Sequence, residues 1–195
     1  MNFPFDKEII LENSVALLRP LKLTDIQNLL KIAIEEKELL QYSPTPIYSE
    51  KLLTEYVEKS LNERKNKTRY SFSIFDKKKN AYAGSTSFMN ISNVDSRVEI
   101  GSTWIGKEFQ KTGLNRNCKY LLFNFAFGEL NAERVELKTD ERNNASRNAI
   151  QKIGGKFEGI LRSHTLMYDG FRRNTVYYSI LKNEWKDLKE GFIKE

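Results

Sequence analysis

The stretch Gln110-Lys111-Thr112-Gly113-Leu114-Asn115-Arg116 combines residue types and spacing that suit anion chemistry. It follows a strand pattern ending at Ile105 and opens a helical one. The first turn of a helix offers unpaired N–H groups and a partial positive charge of about half a proton. Gly113 lets the backbone come close to a ligand, and Lys107, Lys111 and Arg116 add charge nearby. A pyrophosphate is the kind of group such a turn holds. The spacing is neither the dinucleotide fingerprint G-x-G-x-x-G nor a phosphate loop with Gly-Lys-Ser/Thr. On spacing alone, anion site and plain tight turn are equally good readings.

The elements that must position this turn follow from periodicity. Val15 to Leu18 is a strand pattern closed by Pro20, and Thr24 with Gln27 predicts a capping box for a helix carrying Ile26, Leu29, Leu30, Ala33 and Ile34. Pro44 and Pro46 interrupt the chain, and Ser49 is a candidate cap for a second helix to about Arg64. Tyr70, Phe72 and Ile74 alternate with serines, the lysine run 77–79 is a solvated turn, and strands follow at Tyr82 to Met89 and Val98 to Ile105. From Leu114 a helix sets Cys118, Leu121, Leu122, Phe125 and Ala126 on one face. A strand at 135–139 precedes a short helix from Asn143 to Ile153, with Ala145, Ala149, Ile150 and Ile153 inward and Gly154-Gly155 ending it. Strands at 157–167 and 173–181, joined by Asp169-Gly170, close the pattern. The order β-α-α-β-β-β-α-β-α-β-β predicts one mixed α/β (α+β) domain over residues 1–195, with seven strands and four helices.

Composition bounds the chemistry. A chain of 195 residues with 39% hydrophobic residues can bury a full core. One cysteine and one histidine leave no disulfide framework and no His/Cys metal cluster, so no metal is expected. The N-terminus lacks a signal pattern, and Leu121 to Phe127 is far shorter than the ~20 residues that span a bilayer. A cytoplasmic protein without membrane contact is expected. The net charge of +6 is compatible with an anionic ligand or a nucleic acid. No RNA-binding motif accompanies it, so a basic RNA-associated module is the weakest reading.

The ordered motifs resemble the GNAT N-acetyltransferases, and within them the RimJ/RimL-like branch. They are Glu99-Ile100-Gly101 with Trp104-Ile105, Gln110-x-x-Gly113-x-Asn115, Asn143-x-x-Ser146, Lys152-Ile153-Gly154, Glu158-Gly159 and Tyr177 to Leu181. Asn115 departs from the Gly or Ala that usually closes the six-residue signature. The resemblance covers roughly Val15 to Leu181. It implies the GNAT fold, a sheet of about seven strands splayed between the fourth and fifth and flanked by about four helices. It also implies acetyl-CoA as co-substrate and a primary amine as acceptor, and a homodimer is compatible with it. Ser102, Thr103, Trp104 and Ile105 would bond the pantetheine through their main chain, and residues 110–116 (Gln110, Lys111, Thr112, Gly113, Leu114, Asn115, Arg116) would hold the pyrophosphate. Asn143 would anchor the cofactor, although as a bare residue it reads equally as a helix cap.

The same resemblance assigns the chemistry. An attacking amine must be neutral: an α-amino group with pKa near 8 needs little help, whereas lysine must give up roughly three units, ~4 kcal/mol. Glu99 matches the position of a general base, its other reading being an outward, solvated carboxylate. The family's acidic tyrosine would align with Ile150 and is missing. Ser146 matches the serine of RimL-like members, its other reading being satisfaction of a helix turn. The RimL-type carboxylate position falls near Thr165, where none stands; the adjacent His164 is either a substitute base or an ordinary strand residue. Cys118 lies on the buried face, which argues against an acyl-cysteine route. The missing groups leave a catalytically weak acyl-CoA sensor as the competing reading.

Overall fold

A computed structural model describes residues 1–193 of the chain. One mixed eight-stranded sheet runs in the order β1-β2-β3-β4-β5-β6-β8-β7. The strands are β1 (Leu11–Glu12), β2 (Ala16–Pro20), β3 (Arg69–Asp76), β4 (Ala81–Ser92), β5 (Arg97–Ile105), β6 (Arg134–Asp140), β7 (Lys156–Leu166) and β8 (Arg172–Leu181). All neighbours pair antiparallel except β5 and β6, which run parallel. The helices are α1 (Asp25–Glu35), α2 (Glu50–Lys65), α3 (Leu114–Asn124), α4 (Asn144–Lys152) and α5 (Lys182–Ile193).

The seven expected strands and four expected helices are all present. Two further elements are not in that expectation: the two-residue β1, too short to show alternation, and α5. The fourth strand of the sequence reading is therefore β5. Helix α5 packs Trp185 and Phe192 against Tyr120, Phe123 and Phe127, so those aromatics form a core seam.

Several local expectations are corrected. Thr24 makes no capping hydrogen bond. The buried Asp25 carboxylate is taken up instead by the Lys22 N–H, Arg19, Asn28 and the Ser73 hydroxyl. Ser49 does cap α2, accepting from the Leu52 N–H at 3.3 Å. Ile34 and Ala145 are exposed rather than inward, because α1 and α4 bury narrower faces than the spacing implied. Helix α3 ends at Asn124 and continues as a wider π-turn over Phe125–Glu129.

The serines of β3 and β4 are buried as well as their aromatics, because helices cover both sheet faces there. Ser73 meets Asp25 of α1, and Ser85 meets Tyr56 of α2. On the other face Phe88 meets Phe125, beyond the end of α3. Among the described residues no helix is long and apolar enough to cross a membrane.

Candidate active site

β5 and β6 stay paired only over Arg97–Glu99 against Arg134–Glu136. Beyond Glu99 the two strands part, so from Ile100 to Ile105 the β6-facing edge of β5 has no strand partner. Backbone polar groups need partners, and such an edge is a template for an extended ligand. The other edge of β5 pairs with β4 but is interrupted between the Gly101 and Trp104 pairs. Ser102 takes a left-handed φ of 49° there. A bulge of this kind re-aims main-chain groups near a site.

The end of β5 leads directly into the anion turn. Gln110 Nε2 donates to the Ile105 carbonyl at 2.8 Å, and the Thr112 hydroxyl donates to the Phe109 carbonyl at 2.7 Å. These two bonds brace the turn from within, so the Gln110 side chain is spent on the protein. Gly113 has φ of 86°, and a Cβ there would meet only Asn117 Nδ2, at 3.9 Å. The protein leaves the space over Gly113 open. The N–H groups of Lys111, Thr112 and Gly113 make no backbone hydrogen bond among the described residues, and the first turn of α3 adds others. Lys107 and Lys111 are exposed beside the turn. Arg116 is not: it donates to the Gly191 carbonyl at 2.8 Å and stacks on Phe192. Its charge is directed at α5, which corrects the expectation that it faces a phosphate.

The side chains of Ser102, Thr103 and Trp104 are likewise engaged inward. Arg69 donates to the Ser102 hydroxyl and to the Tyr56 hydroxyl, both at 2.9 Å. Lys119 donates to the Thr103 hydroxyl at 2.9 Å. The Trp104 ring packs on Tyr56. What this strand can offer a ligand is main chain. Burial would raise the Tyr56 phenol, but the Arg69 guanidinium and neighbouring hydroxyls outweigh it and hold it below its ordinary value.

Glu99 is the last paired residue before the strands part. It is buried rather than outward and solvated. Its Oε2 accepts from Asn90 Nδ2 at 2.6 Å and pairs with Lys138 Nζ at 2.8 Å. Lys138 also lies 3.4 Å from Glu136 and over the Tyr177 ring. Burial pushes the Lys138 ammonium down, but Glu99, Tyr177 and Glu136 outweigh it and hold it above its ordinary value. Glu99 is thus half of an ion pair at the root of the splay, its charge shared with Lys138.

Across the splay, α4 starts where β6 ends. Asn143 caps it, its Oδ1 accepting from the Ser146 N–H at 3.0 Å. The cap reading of Asn143 is therefore the one its side-chain oxygen follows. The half-buried Ser146 makes no side-chain hydrogen bond among the described residues, so its hydroxyl is available. Ile150 is buried in the core. His164 is an exposed β7 residue whose Nδ1 lies 3.1 Å from the Thr175 hydroxyl. Cys118 is buried and its thiol is pushed up to about 12, as befits an inert packing residue.

Sequence reasoning misses Lys138, Asn90, Arg69 and Lys119. Only Lys138 carries a signal, since Glu136 and Lys138 share one face of a strand whose other face is Val135 and Leu137.

The acetyltransferase (GNAT) domain model matches residues 16–156, most of the chain. The chain belongs to this family. Its GNAT fold is shared with the crystal structure of a GCN5-related N-acetyltransferase from Brucella melitensis, with a TM-score of 0.88, 24% identity and coverage of 96% of this chain and 85% of that one. A ribosomal-protein-S5-alanine acetyltransferase from Vibrio fischeri superposes with a TM-score of 0.73 at 17% identity, covering 91% and 99%. Among curated proteins, the "Putative ribosomal N-acetyltransferase YdaF" of Bacillus subtilis is 37% identical over 106 residues. That match spans 54% of this chain and only 57% of the relative. Within the GNAT fold the splay, the N–H turn and the open Gly113 fit acetyl-CoA: an unpaired strand edge for an extended arm and a braced N–H cradle for a pyrophosphate.

Proposed function

We propose that this chain transfers the acetyl group of acetyl-CoA directly to a primary amine, and that the acceptor class is the α-amine of a protein N-terminus. The carrying observation is the unpaired β5 edge from Ile100 to Ile105 running into the N–H turn before Gly113. The amine nitrogen bonds to the acetyl carbon, the carbon–sulfur bond breaks, and its electron pair passes to the sulfur. A β5 N–H supports the carbonyl oxygen as charge develops, and in acyl transfer such support usually lowers the barrier more than any other single effect. Glu99 takes the amine's proton, directly or through water, and the Ser146 hydroxyl hydrogen-bonds the departing sulfur. An α-amine suits a base already shared with Lys138, because it needs little deprotonation at neutral pH. The Bacillus subtilis relative carries the name of a putative ribosomal N-acetyltransferase, which favours an amine of a ribosomal protein as acceptor.

The loop between α1 and α2 reaches the proposed acceptor side. Arg173 of β8 donates to the Tyr42 carbonyl at 2.7 Å, and Tyr48 meets Tyr168 of the β7–β8 hairpin. The burial of Ile150, where the family's acidic tyrosine would stand, favours a second reading as an acyl-CoA-binding protein with little turnover. The deciding experiment follows free thiol in purified protein with acetyl-CoA. Release only on adding peptides with free N-termini supports transfer. Tight acetyl-CoA binding without release across peptides and small amines supports the second reading.

A further inference from the structure

Among the described residues two cations are buried in the main body of the fold, Arg69 and Lys119. Arg69 has a carboxylate, Glu63, at 3.2 Å and three hydroxyl partners besides. Lys119, only 6% exposed, has the Thr103 hydroxyl and no carboxylate within ion-pair reach among the described residues. An ammonium has three donors, and burying one beside a single neutral partner is costly. Burial pushes Lys119 down to about 8, and only the neighbouring Cys118 opposes it. A fold does not ordinarily keep such a group where a methionine would pack.

Its location explains the exception. Lys119 lies one helical turn after Asn115, within the first two turns of the helix that the anion turn opens. Its partner Thr103 belongs to the stretch of β5 that has lost β6. The ammonium therefore lies against the sheet where α3 covers β4 and β5, on a Thr103 hydroxyl that also bonds Thr86 at 2.8 Å, and Thr103 is its one hydrogen-bond partner among the described residues.

We propose that Lys119 is a cofactor-facing cation: its remaining N–H donors meet an acceptor oxygen of acyl-CoA held in the splay, below the pyrophosphate. This rests on the reading that acetyl-CoA occupies the splay. The alternative is that Lys119 only props the bulge through Thr103.

The test pairs Lys119→Met with Thr103→Val and measures CoA affinity by calorimetry and melting temperature without ligand. A cofactor-facing Lys119 predicts at least tenfold weaker CoA binding for K119M, a ligand-free melting temperature equal to or above wild type, and a smaller CoA-induced rise. T103V removes the prop and leaves the ammonium, so a loss of CoA affinity in T103V as large as that in K119M overturns the proposal in favour of the propping role. Unchanged CoA affinity in K119M overturns the proposal, as does a lowered ligand-free melting temperature with the CoA-induced rise intact. Should K119M fail to fold, the Lys119 13Cε resonance of the wild-type protein decides. CoA raises its titration midpoint if the ammonium faces the ligand, and an unmoved midpoint overturns the assignment. Wild-type protein that binds no CoA at all would instead refute the reading of the splay as an acyl-CoA site.

Discussion

The two sides of the splay are built differently. On the β5 side the strand, the braced turn and the start of α3 are contiguous in sequence, and they present mostly main chain. On the β6 side the groups that face it are side chains drawn from separate elements: Lys138 from β6, Ser146 from α4, Tyr177 and Arg173 from β8, and the Tyr42 loop from before α2. A backbone-built site depends on φ values and on a free N-terminal turn, and it tolerates many side chains. A side-chain-built site depends on each residue, and it can change acceptor without disturbing the cofactor.

The sharpest way to break that contrast is Gly113→Glu. It forces a carboxylate and a left-handed non-glycine onto the open face of the turn, where no protein atom stands closer than 3.9 Å. We expect acetyl-CoA binding to fall more than a hundredfold, with a stability loss of only about 1 kcal/mol from the backbone strain. Calorimetry with acetyl-CoA and a thermal melt check both. Undiminished binding would remove the turn from the site.

Glu99→Gln should act on the chemistry and spare the cofactor. It removes the proposed base and leaves the Lys138 ammonium with a weaker partner. Turnover with a peptide acceptor is expected to fall between tenfold and a hundredfold while acetyl-CoA affinity holds within twofold. Steady-state kinetics beside calorimetry separates the two, and an equal loss in both would make Glu99 structural.

Lys119 adds a pH signature on the cofactor side. Its folded pKa of about 8 lies below the ordinary lysine value, so between those values the unfolded chain holds the proton more often. Its penalty is therefore fully present at pH 7 and is relieved as pH rises from about 8 to beyond 10. The relief from this one group is on the order of 3 kcal/mol, at 1.36 kcal/mol for each pH unit between the two values. Denaturant melts across that window should show a difference between wild type and K119M that shrinks with pH.

Ser146→Ala is expected to lower turnover about tenfold with little change in cofactor affinity, since the backbone cap stays in place. Asn143→Ala should be the mildest, costing about 1 kcal/mol of stability through loss of the cap. A large fall in acetyl-CoA affinity for N143A would show that its side chain serves the cofactor after all.

The same contrast explains what is legible in the sequence. Gly113 and the strand-turn-helix order can be read because their meaning is local: a left-handed glycine and a helix start lie within a few residues. Glu99 can be nominated, but its Lys138 and Asn90 partners cannot, because they meet it across two strand pairings. Arg116 is misread because its partner lies in α5, whose Trp185, Leu188 and Phe192 spacing does carry a helical period. The burial of the β3 serines is not legible, since alternation cannot reveal a second helix layer.

The most direct test of the central claim is a crystal structure with acetyl-CoA bound. The acyl arm is expected along β5 between Ile100 and Ile105, the pyrophosphate on the N–H groups of residues 111–113, and the thioester between Glu99 and Ser146. A cofactor lying outside the β5–β6 splay would contradict that claim.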